Sequence, residues 1–437
     1  MNYFCVSKLG EESSPESDRR FSLNDGSMVF IPLLFYAFFC QSFASSSIVL
    51  YGCLLSSFAA FFLHFLINRR FASKRFGLEL VWTPFFVLFY IHGVIYGISN
   101  LTLFVVYTLL FLCMYVASSE RRWVVTCLKV LICFAAFHSV CTILFWIAPP
   151  LYAPVKAAFF SGSYMARDYR SGFTAHYSTN SIYLSLGLVC WSCGLVGCRG
   201  KFRAKDVALS LIFLLALFLT TKRGPLLASL AAIAVSYLFV NRIKFTGTVL
   251  KVIVFVGIVV MVCGVLAMFI PAIQATLERF VELSEDDTGN GRTYLYDLAW
   301  HLFYGNPIFG SGWGSYSKYV ATTSLGAMYR ELGFSAMSAH NVYLQLLAET
   351  GVVGLLLFVV PALITVTSSM RRSNYCLESF VYGDSFCLWA CLGVQVFFLV
   401  YCFSGNPLYD PQCYITYFTS CVAVFALCGT EIRSSSC

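Results

Sequence analysis

The chain has 437 residues, of which 59% are hydrophobic and only 11% are charged, and its mean hydropathy is +0.77. A soluble domain carries about 25% charged residues, so this chain has too few charges to cover a water-facing surface. The composition predicts an integral membrane protein. It excludes a cytosolic enzyme, a disulfide-framed secreted module and a nucleic-acid binder built on the net charge of +8.

The nineteen cysteines do not indicate redox chemistry. Most of them lie inside apolar runs, where a free thiol behaves as a small buried hydrophobe. Cys190 and Cys193 have the spacing of a redox or metal motif, but their segment is continuously apolar and offers no second pair of ligands. We therefore predict helix packing for these side chains, and neither a metal nor a cofactor.

Long apolar runs dominate the sequence and predict an all-α, polytopic membrane protein. A membrane-spanning helix needs about 20 mostly apolar residues. Twelve runs fit: 28–45, 47–67, 79–97, 100–118, 123–148, 176–197, 206–221, 225–240, 249–270, 342–368, 383–404 and 413–429. The predicted organisation is a disordered cytoplasmic tail over 1–27, helices one to nine over 28–270, an extracytoplasmic loop with short helices over 271–341, and helices ten to twelve with a short cytoplasmic tail over 342–437.

The distribution of basic residues predicts the orientation. With the N-terminus in the cytoplasm, nineteen of the 29 Lys and Arg residues fall in inner loops and tails, and nine fall on the outer side. This bias is typical of cytoplasmic loops. The first apolar run could instead be a cleaved signal peptide, but the region before it is long and of mixed charge, which disfavours that interpretation.

Two cations interrupt the pattern in a short outer turn between apolar runs. Lys222 and Arg223 stand there against the positive-inside bias. Ionisable groups at membrane depth are costly and are usually functional. The two side chains either extend to lipid phosphates or bind a substrate phosphate. The planar guanidinium group of Arg223 suits the second role, because it can bind a phosphate through two hydrogen bonds.

The long outer loop contains the next polar features. Residues Ile273 to Leu283 read as a helix, and a turn rich in Asp and Gly follows over 286–291. Arg292 opens an amphipathic helix that stops at Gly305. Gly310 and Gly312 then alternate with other residues in a pattern that fits no nucleotide-binding fingerprint. We expect them to let the backbone fold tightly beside a ligand or a lipid headgroup.

His340 and Asn341 stand where the outer loop enters an apolar helix. Such a histidine is either an interfacial hydrogen-bonding group or a catalyst. Glu349 lies about 12 Å further along the helix axis. A carboxylate there either extends to the interface or pairs with an arginine such as Arg223 or Arg292.

A further outer stretch carries Arg167, Asp168, Arg170 and His176. It is either an ordinary solvated loop or part of the same site. Arginines, a His-Asn pair and a small-residue loop around a membrane-embedded funnel suit a substrate with an anionic headgroup and a lipid tail.

Three blocks of the sequence resemble the O-antigen ligase and polymerase family of bacterial polysaccharide membrane enzymes. The blocks are Lys222-Arg223-Gly224, then Gly291-Arg292 with Asn306-Pro307 and Gly310-Ser-Gly312, and then His340-Asn341-Val-Tyr-Leu with Glu349-Thr-Gly351. Their order and their position around one long outer loop resemble the family's core, over roughly 170–354.

The resemblance implies a metal-independent glycosyltransferase of the bacterial cytoplasmic membrane, with its active site facing the periplasm or the cell exterior. Its donor would be a glycan on undecaprenyl diphosphate. Arg223 and Arg292 would hold the diphosphate, and His340 would assist the acceptor hydroxyl. From the chemistry we further hypothesise inversion by direct attack, with no covalent enzyme intermediate. Lys222 stands where the family often has Ser. The candidate substrate-binding residues are Lys222, Arg170, His176, Asn341, Glu349, Gly310 and Gly312.

Several alternatives stay open at this stage. A ligase would use lipid A–core or protein as acceptor, whereas a polymerase would use another lipid-linked glycan. A twelve-helix secondary transporter and a non-catalytic subunit for polysaccharide assembly or export are the competing classes. Expected partners are membrane lipids, the donor and acceptor glycans and polysaccharide assembly proteins, with no nucleic acid.

Overall fold

A computed structural model describes most of the chain. The described residues are 27–40, 42, 47–68, 78–98, 100–116, 121–160, 168–198, 203–240, 292–331, 337–378 and 382–428, with isolated positions between 261 and 278. Three predicted features therefore lie outside the described residues apart from such isolated positions: the tail at 1–26, the ninth apolar run and the segment 273–291.

The described part is helical throughout and contains no strand. Its α-helices are α1 (Ser27–Phe39), α2 (Ser47–Asn68), α3 (Thr83–Tyr96), α4 (Leu101–Val116), α5 (Arg121–Ile147), α6 (Tyr152–Phe159), α7 (Tyr177–Gly197), α8 (Ala204–Leu219), α9 (Arg223–Val240), α10 (Arg292–Gly305), α11 (Ser315–Ala321), α12 (Ser324–Glu331), α13 (Val342–Glu378), α14 (Tyr382–Tyr401) and α15 (Pro411–Cys428). A short 3-10 helix, Leu78–Trp82, leads into α3.

The helices agree with the apolar pattern of the sequence. Eleven of the twelve predicted runs coincide with a helix, and the predicted helix from Arg292 to Gly305 is confirmed, while its place on the outer side stays a prediction. Within the described residues, four helices are long and apolar enough to cross a membrane, and five shorter helices are apolar. The all-helical membrane class is therefore confirmed, while the count of twelve spans stays a prediction.

The centre of the bundle is formed by α7 and α14, which approach each other closely through small residues. A Cβ atom added to Gly194 would overlap the ring of Phe386, and one added to Gly197 would overlap the indole of Trp389. Small residues at such contacts let helix backbones approach in membrane proteins. Cys190 and Cys193 are fully buried in α7, in keeping with their predicted packing role.

One side of the helix α13 forms part of the exposed apolar surface around the bundle. Val352, Leu356 and Leu363 are exposed along one stripe, although they are large and apolar. Phe358 and Ala362 on the other side of the helix are buried. Exposed apolar side chains on a helix of this length are those of a helix that faces lipid.

The same helix is interrupted near its N-terminal end. Gly351 has φ +66° and ψ −169°, which lies outside the helical region. The loop after α10 passes beside the break and bonds with the backbone on both sides. The Val352 N–H donates to Pro307 O at 2.9 Å, and the Gly312 N–H donates to Glu349 O at 2.8 Å.

Glycines make this close contact possible. A Cβ atom on Gly351 would overlap the backbone of Ile308, and one on Gly310 would overlap the backbone of Glu349. A Cβ atom on Gly312 would overlap the ring of Tyr96. Gly310 and Gly312 thus pack against the protein and shape the loop, while their predicted place beside a ligand or headgroup stays a prediction.

Substitution of Gly351 by Ala tests the importance of the break. This backbone conformation is essentially restricted to glycine and costs another residue about 1–3 kcal/mol, to which the overlap with Ile308 adds. We expect a clearly lower thermal midpoint of the detergent-solubilised protein. Gly52→Ala is the matched control, because Gly52 lies within α2 with open space around its Cα. Equal midpoints for the two variants would contradict the prediction.

Candidate active site

Four polar side chains, each at the N-terminal end of a different helix, come together on one side of the bundle. His176 caps α7, Lys222 precedes α9, Arg292 opens α10 and His340 stands two residues before α13. The positive charges of Arg292 and Lys222 act on the imidazole of His340, and Lys222 also acts on His176. Because a helix N-terminus carries about half a positive charge, this meeting point is suited to an anion.

The turn between α8 and α9 fixes the position of the two cations predicted there. Thr220 ends α8, and its hydroxyl donates to Leu217 O at 2.7 Å. Thr221 is buried and adopts φ +57°, which is unusual for a residue with a side chain. Lys222 follows, and Arg223 opens α9 with its Nη1 atom buried. The tight turn thus holds both side chains at the start of α9.

Lys222 belongs to an aromatic and cationic cluster. Its ammonium lies 4.1 Å from the centre of the Tyr177 ring, a cation–π contact. The Tyr177 ring is stacked on the His176 ring at 4.8 Å, and the Arg170 guanidinium lies 5.9 Å from the same tyrosine. The structure therefore brings Lys222 together with Arg170 and His176, although Lys222 lies 52 and 46 positions further along the sequence.

Arg170 is engaged by a neighbouring carboxylate. Its Nη2 and Nε atoms donate to Asp168 at 2.6 and 2.9 Å, and this contact raises the pKa of Arg170. The backbone oxygen of Arg170 accepts from the Asn180 side chain at 2.9 Å. The segment is thus anchored to α7, and much of the charge of Arg170 is compensated locally.

Both histidines of the site are held in the neutral form. Burial, with smaller contributions from Arg292 and Lys222, lowers the pKa of His340 to about 4. Burial and the charge of Lys222 lower the pKa of His176 to about 4. The two rings have different surroundings, because His176 Nδ1 accepts from the Ser178 N–H at 2.9 Å. The Nδ1 atom of His176 therefore serves as the cap of α7.

His340 is held in a strained position by its neighbour and by α14. Its φ is +53°, and the Asn341 side chain caps α13 by accepting from the Leu344 N–H at 3.2 Å. The Val342 N–H donates to Cys402 O at 2.8 Å. Backbone strain of this kind persists only where the surrounding structure imposes it. Asn341 therefore positions the histidine through the helix cap.

Glu349 is fully buried below the site, so it does not extend to the interface, and its carboxylate is bonded to a tyrosine and a glutamine. The Tyr409 hydroxyl donates to Glu349 Oε2 at 2.6 Å, and Gln345 Nε2 donates to Glu349 Oε1 at 3.1 Å. The Gln345 side chain in turn accepts from the Ala339 N–H at 3.1 Å. Through Gln345 and Tyr409, Glu349 thus connects the segment before His340 to the loop between α14 and α15. Its role in the site is structural.

The loop between α14 and α15 forms a further wall of the site that the sequence analysis missed. Tyr401 is within electrostatic range of both Arg292 and Asp410. A Cβ atom on Gly224 would come within 2.8 Å of the Ser404 hydroxyl, so the loop lies directly against the start of α9. Burial raises the pKa of Asp410 to about 7. A polar break between the last two apolar runs was the available signal for this loop.

These observations define a polytopic membrane protein with a cationic, histidine-bearing site where several helices begin. Residues 208–359 match the protein family described as O-antigen ligase. The matched stretch includes Lys222, Arg223, Arg292 and His340, and it confirms the predicted resemblance to the O-antigen ligase and polymerase family. A search of curated protein sequences found no match.

The protonation of His340 can be measured by NMR on protein labelled with carbon-13 histidine. The chain has six histidines, and the His340→Asn variant assigns the signal. We expect a midpoint near pH 4, because burial and two cations disfavour the charged ring. Lys222→Gln removes one of these cations and should raise the midpoint. A midpoint near 6.5 that does not respond to Lys222→Gln would contradict the electrostatic description of the site.

Proposed function

We propose that the protein is a membrane glycosyltransferase of the O-antigen ligase and polymerase type. It transfers a glycan from undecaprenyl diphosphate to an acceptor hydroxyl on the outer side of the bacterial cytoplasmic membrane. The observation that carries the proposal is the meeting of Lys222, Arg292 and His340 at three helix N-termini, with all three residues inside the stretch that matches the family.

The cations account for the donor half of the reaction. Arg292 is exposed at the start of α10 and is accessible to a ligand, and Arg223 stands at the start of α9. When the bond between the anomeric carbon and the diphosphate breaks, the leaving oxygen keeps the electron pair. Fixed guanidinium groups and helix N-termini stabilise that negative charge as it develops. The proposal requires no metal for this step.

His340 accounts for the acceptor half. The acceptor oxygen forms a bond to the anomeric carbon from the side opposite the diphosphate, and its proton passes to the imidazole. A neutral imidazole is able to accept that proton. The bound diphosphate also brings negative charge beside a ring whose pKa is lowered to about 4 by burial and cations, and so raises its basicity.

The broken helix bears on the competing transporter hypothesis. Secondary transporters use interrupted helices, whose free backbone groups bind substrates and ions. Around Gly351, the Glu349 carbonyl and the Val352 amide are instead bonded to the loop after α10. The break is thus filled by the protein's own backbone, which favours an enzyme whose site lies beside it.

The proposal is tested by incubating the purified protein with lipid-linked oligosaccharide, with and without lipid A–core. Glycan joined to lipid A–core identifies a ligase, and a longer lipid-linked glycan identifies a polymerase. Solute uptake into proteoliposomes without glycosyl transfer would establish the transporter instead. A non-catalytic subunit would show neither activity.

In the same assay, Arg292→Ala and Arg223→Ala should each lower the transfer rate by about 100-fold or more, since each removes charge stabilisation of the leaving group. Arg330→Ala is the matched control, because Arg330 is exposed on α12. Thermal midpoints verify that all three variants are folded. Rates near that of the wild type in either site variant would refute the assigned role in binding the diphosphate.

Metal chelation tests the remaining part of the mechanism. We expect EDTA to leave the rate of the purified enzyme unchanged, because protein cations take the role that Mg²⁺ has in many diphosphate reactions. Loss of activity in EDTA and recovery on addition of Mg²⁺ would show that the reaction requires a metal.

A further inference from the structure

The outer helix α10 and the loop after it present an aromatic and apolar surface that the proposed reaction does not use. Tyr304 is 72% exposed, Ile308 60% and Phe309 58%, and Trp300 is also exposed. We call these four residues the α10 aromatic surface. We propose that it is seated in the outer leaflet of the bilayer, at the boundary between headgroups and acyl chains, and that its partner is phospholipid.

The helix itself is amphipathic. Leu295, Leu298 and Ala299 are buried on the side that packs against the protein. Trp300 and Tyr304 lie one turn apart on the opposite side, with their rings stacked at 6.0 Å. Aromatic residues with polar tips are enriched at both interfaces of a membrane, where one end of the ring is wet and the other is dry.

The surface is continuous with the lipid-facing stripe of α13. Ile308 O accepts from the Val353 N–H at 3.2 Å, in addition to the bond between Pro307 and Val352. Ile308 and Phe309 therefore lie directly beside Val352, the first residue of the stripe. Their backbone can lie at this depth because the α13 amides satisfy the carbonyl groups of the loop, as a membrane interior demands.

The length of α13 places this point at the edge of the hydrocarbon core. Arg371 and Arg372 are the first basic residues after the apolar part of the helix. From Val352 to Met370 the helix rises about 27 Å, which matches a core thickness of about 30 Å. With the arginines at the inner edge, Val352 reaches the outer edge. Because Pro307 O accepts from the Val352 N–H, Tyr304, three residues before Pro307, lies within about one helical turn of this edge.

The proposed contact of the α10 aromatic surface with phospholipid can be tested by photo-crosslinking of the full-length protein in nanodiscs of phosphatidylethanolamine and phosphatidylglycerol. The photoreactive residue p-benzoylphenylalanine replaces Tyr304, and mass spectrometry identifies what it captures. Leu356 is the positive control on the lipid-facing stripe. Tyr294 is the matched control, because it is an exposed tyrosine on the same helix, about 15 Å from Tyr304 along the helix axis and close to Arg292.

We expect a phospholipid adduct at Tyr304 in a yield close to that at Leu356 and several times that at Tyr294. A second probe at Phe309 should give the same result, so that the test does not depend on one variant. Capture of a second copy of the chain or of another segment of the same chain would overturn the proposal. An adduct at Leu356 with none at Tyr304 and Phe309 would overturn it as well. None of these readouts requires transfer activity.

Discussion

The break in α13 at Gly351 determines how the segments around the candidate site are arranged. A continuous helix satisfies its own backbone, whereas a broken one leaves groups that need partners in a medium without water. The Glu349 carbonyl and the Val352 amide find those partners in the loop that follows α10. This contact fixes α10 alongside α13, and it thereby holds Arg292 within electrostatic range of His340.

The buried carboxyl of Glu349 extends the same constraint to a third segment. Burying such a group is costly unless it is hydrogen-bonded, and Glu349 uses Tyr409 and Gln345. The Tyr409 ring also lies 5.4 Å from the Trp313 ring in the loop after α10. The loops before α11 and before α15 are therefore fixed at one point beneath the cations. A polar network inside the bundle thus positions a site that lies outside it.

The sequence predicts the helices and many of the charged site residues, because the signals for both lie in short stretches of the chain. Apolar runs are set by the length of a membrane crossing, and residues such as Lys222 and Arg292 are conspicuous because they interrupt that pattern. The partner of Glu349 could not be predicted, because Tyr409 is 60 positions away and no periodicity links them. Asp410 was missed for the same reason, since its relation to Arg292 through Tyr401 exists only in the folded chain.

The electrostatics of the site also suggest an order for the proposed reaction. Lys222 and Arg292 lie close enough to His340 to disfavour its protonation, so the ring is a weak base before substrate binds. A bound diphosphate compensates those cations and favours the protonated ring. Donor binding and proton acceptance therefore reinforce each other. The diphosphate interacts favourably with the positive charge of Arg292 and also with the imidazolium that forms when His340 accepts the proton. In this scheme the acceptor hydroxyl is activated only after the donor is in place, which protects the lipid-linked glycan from transfer to water.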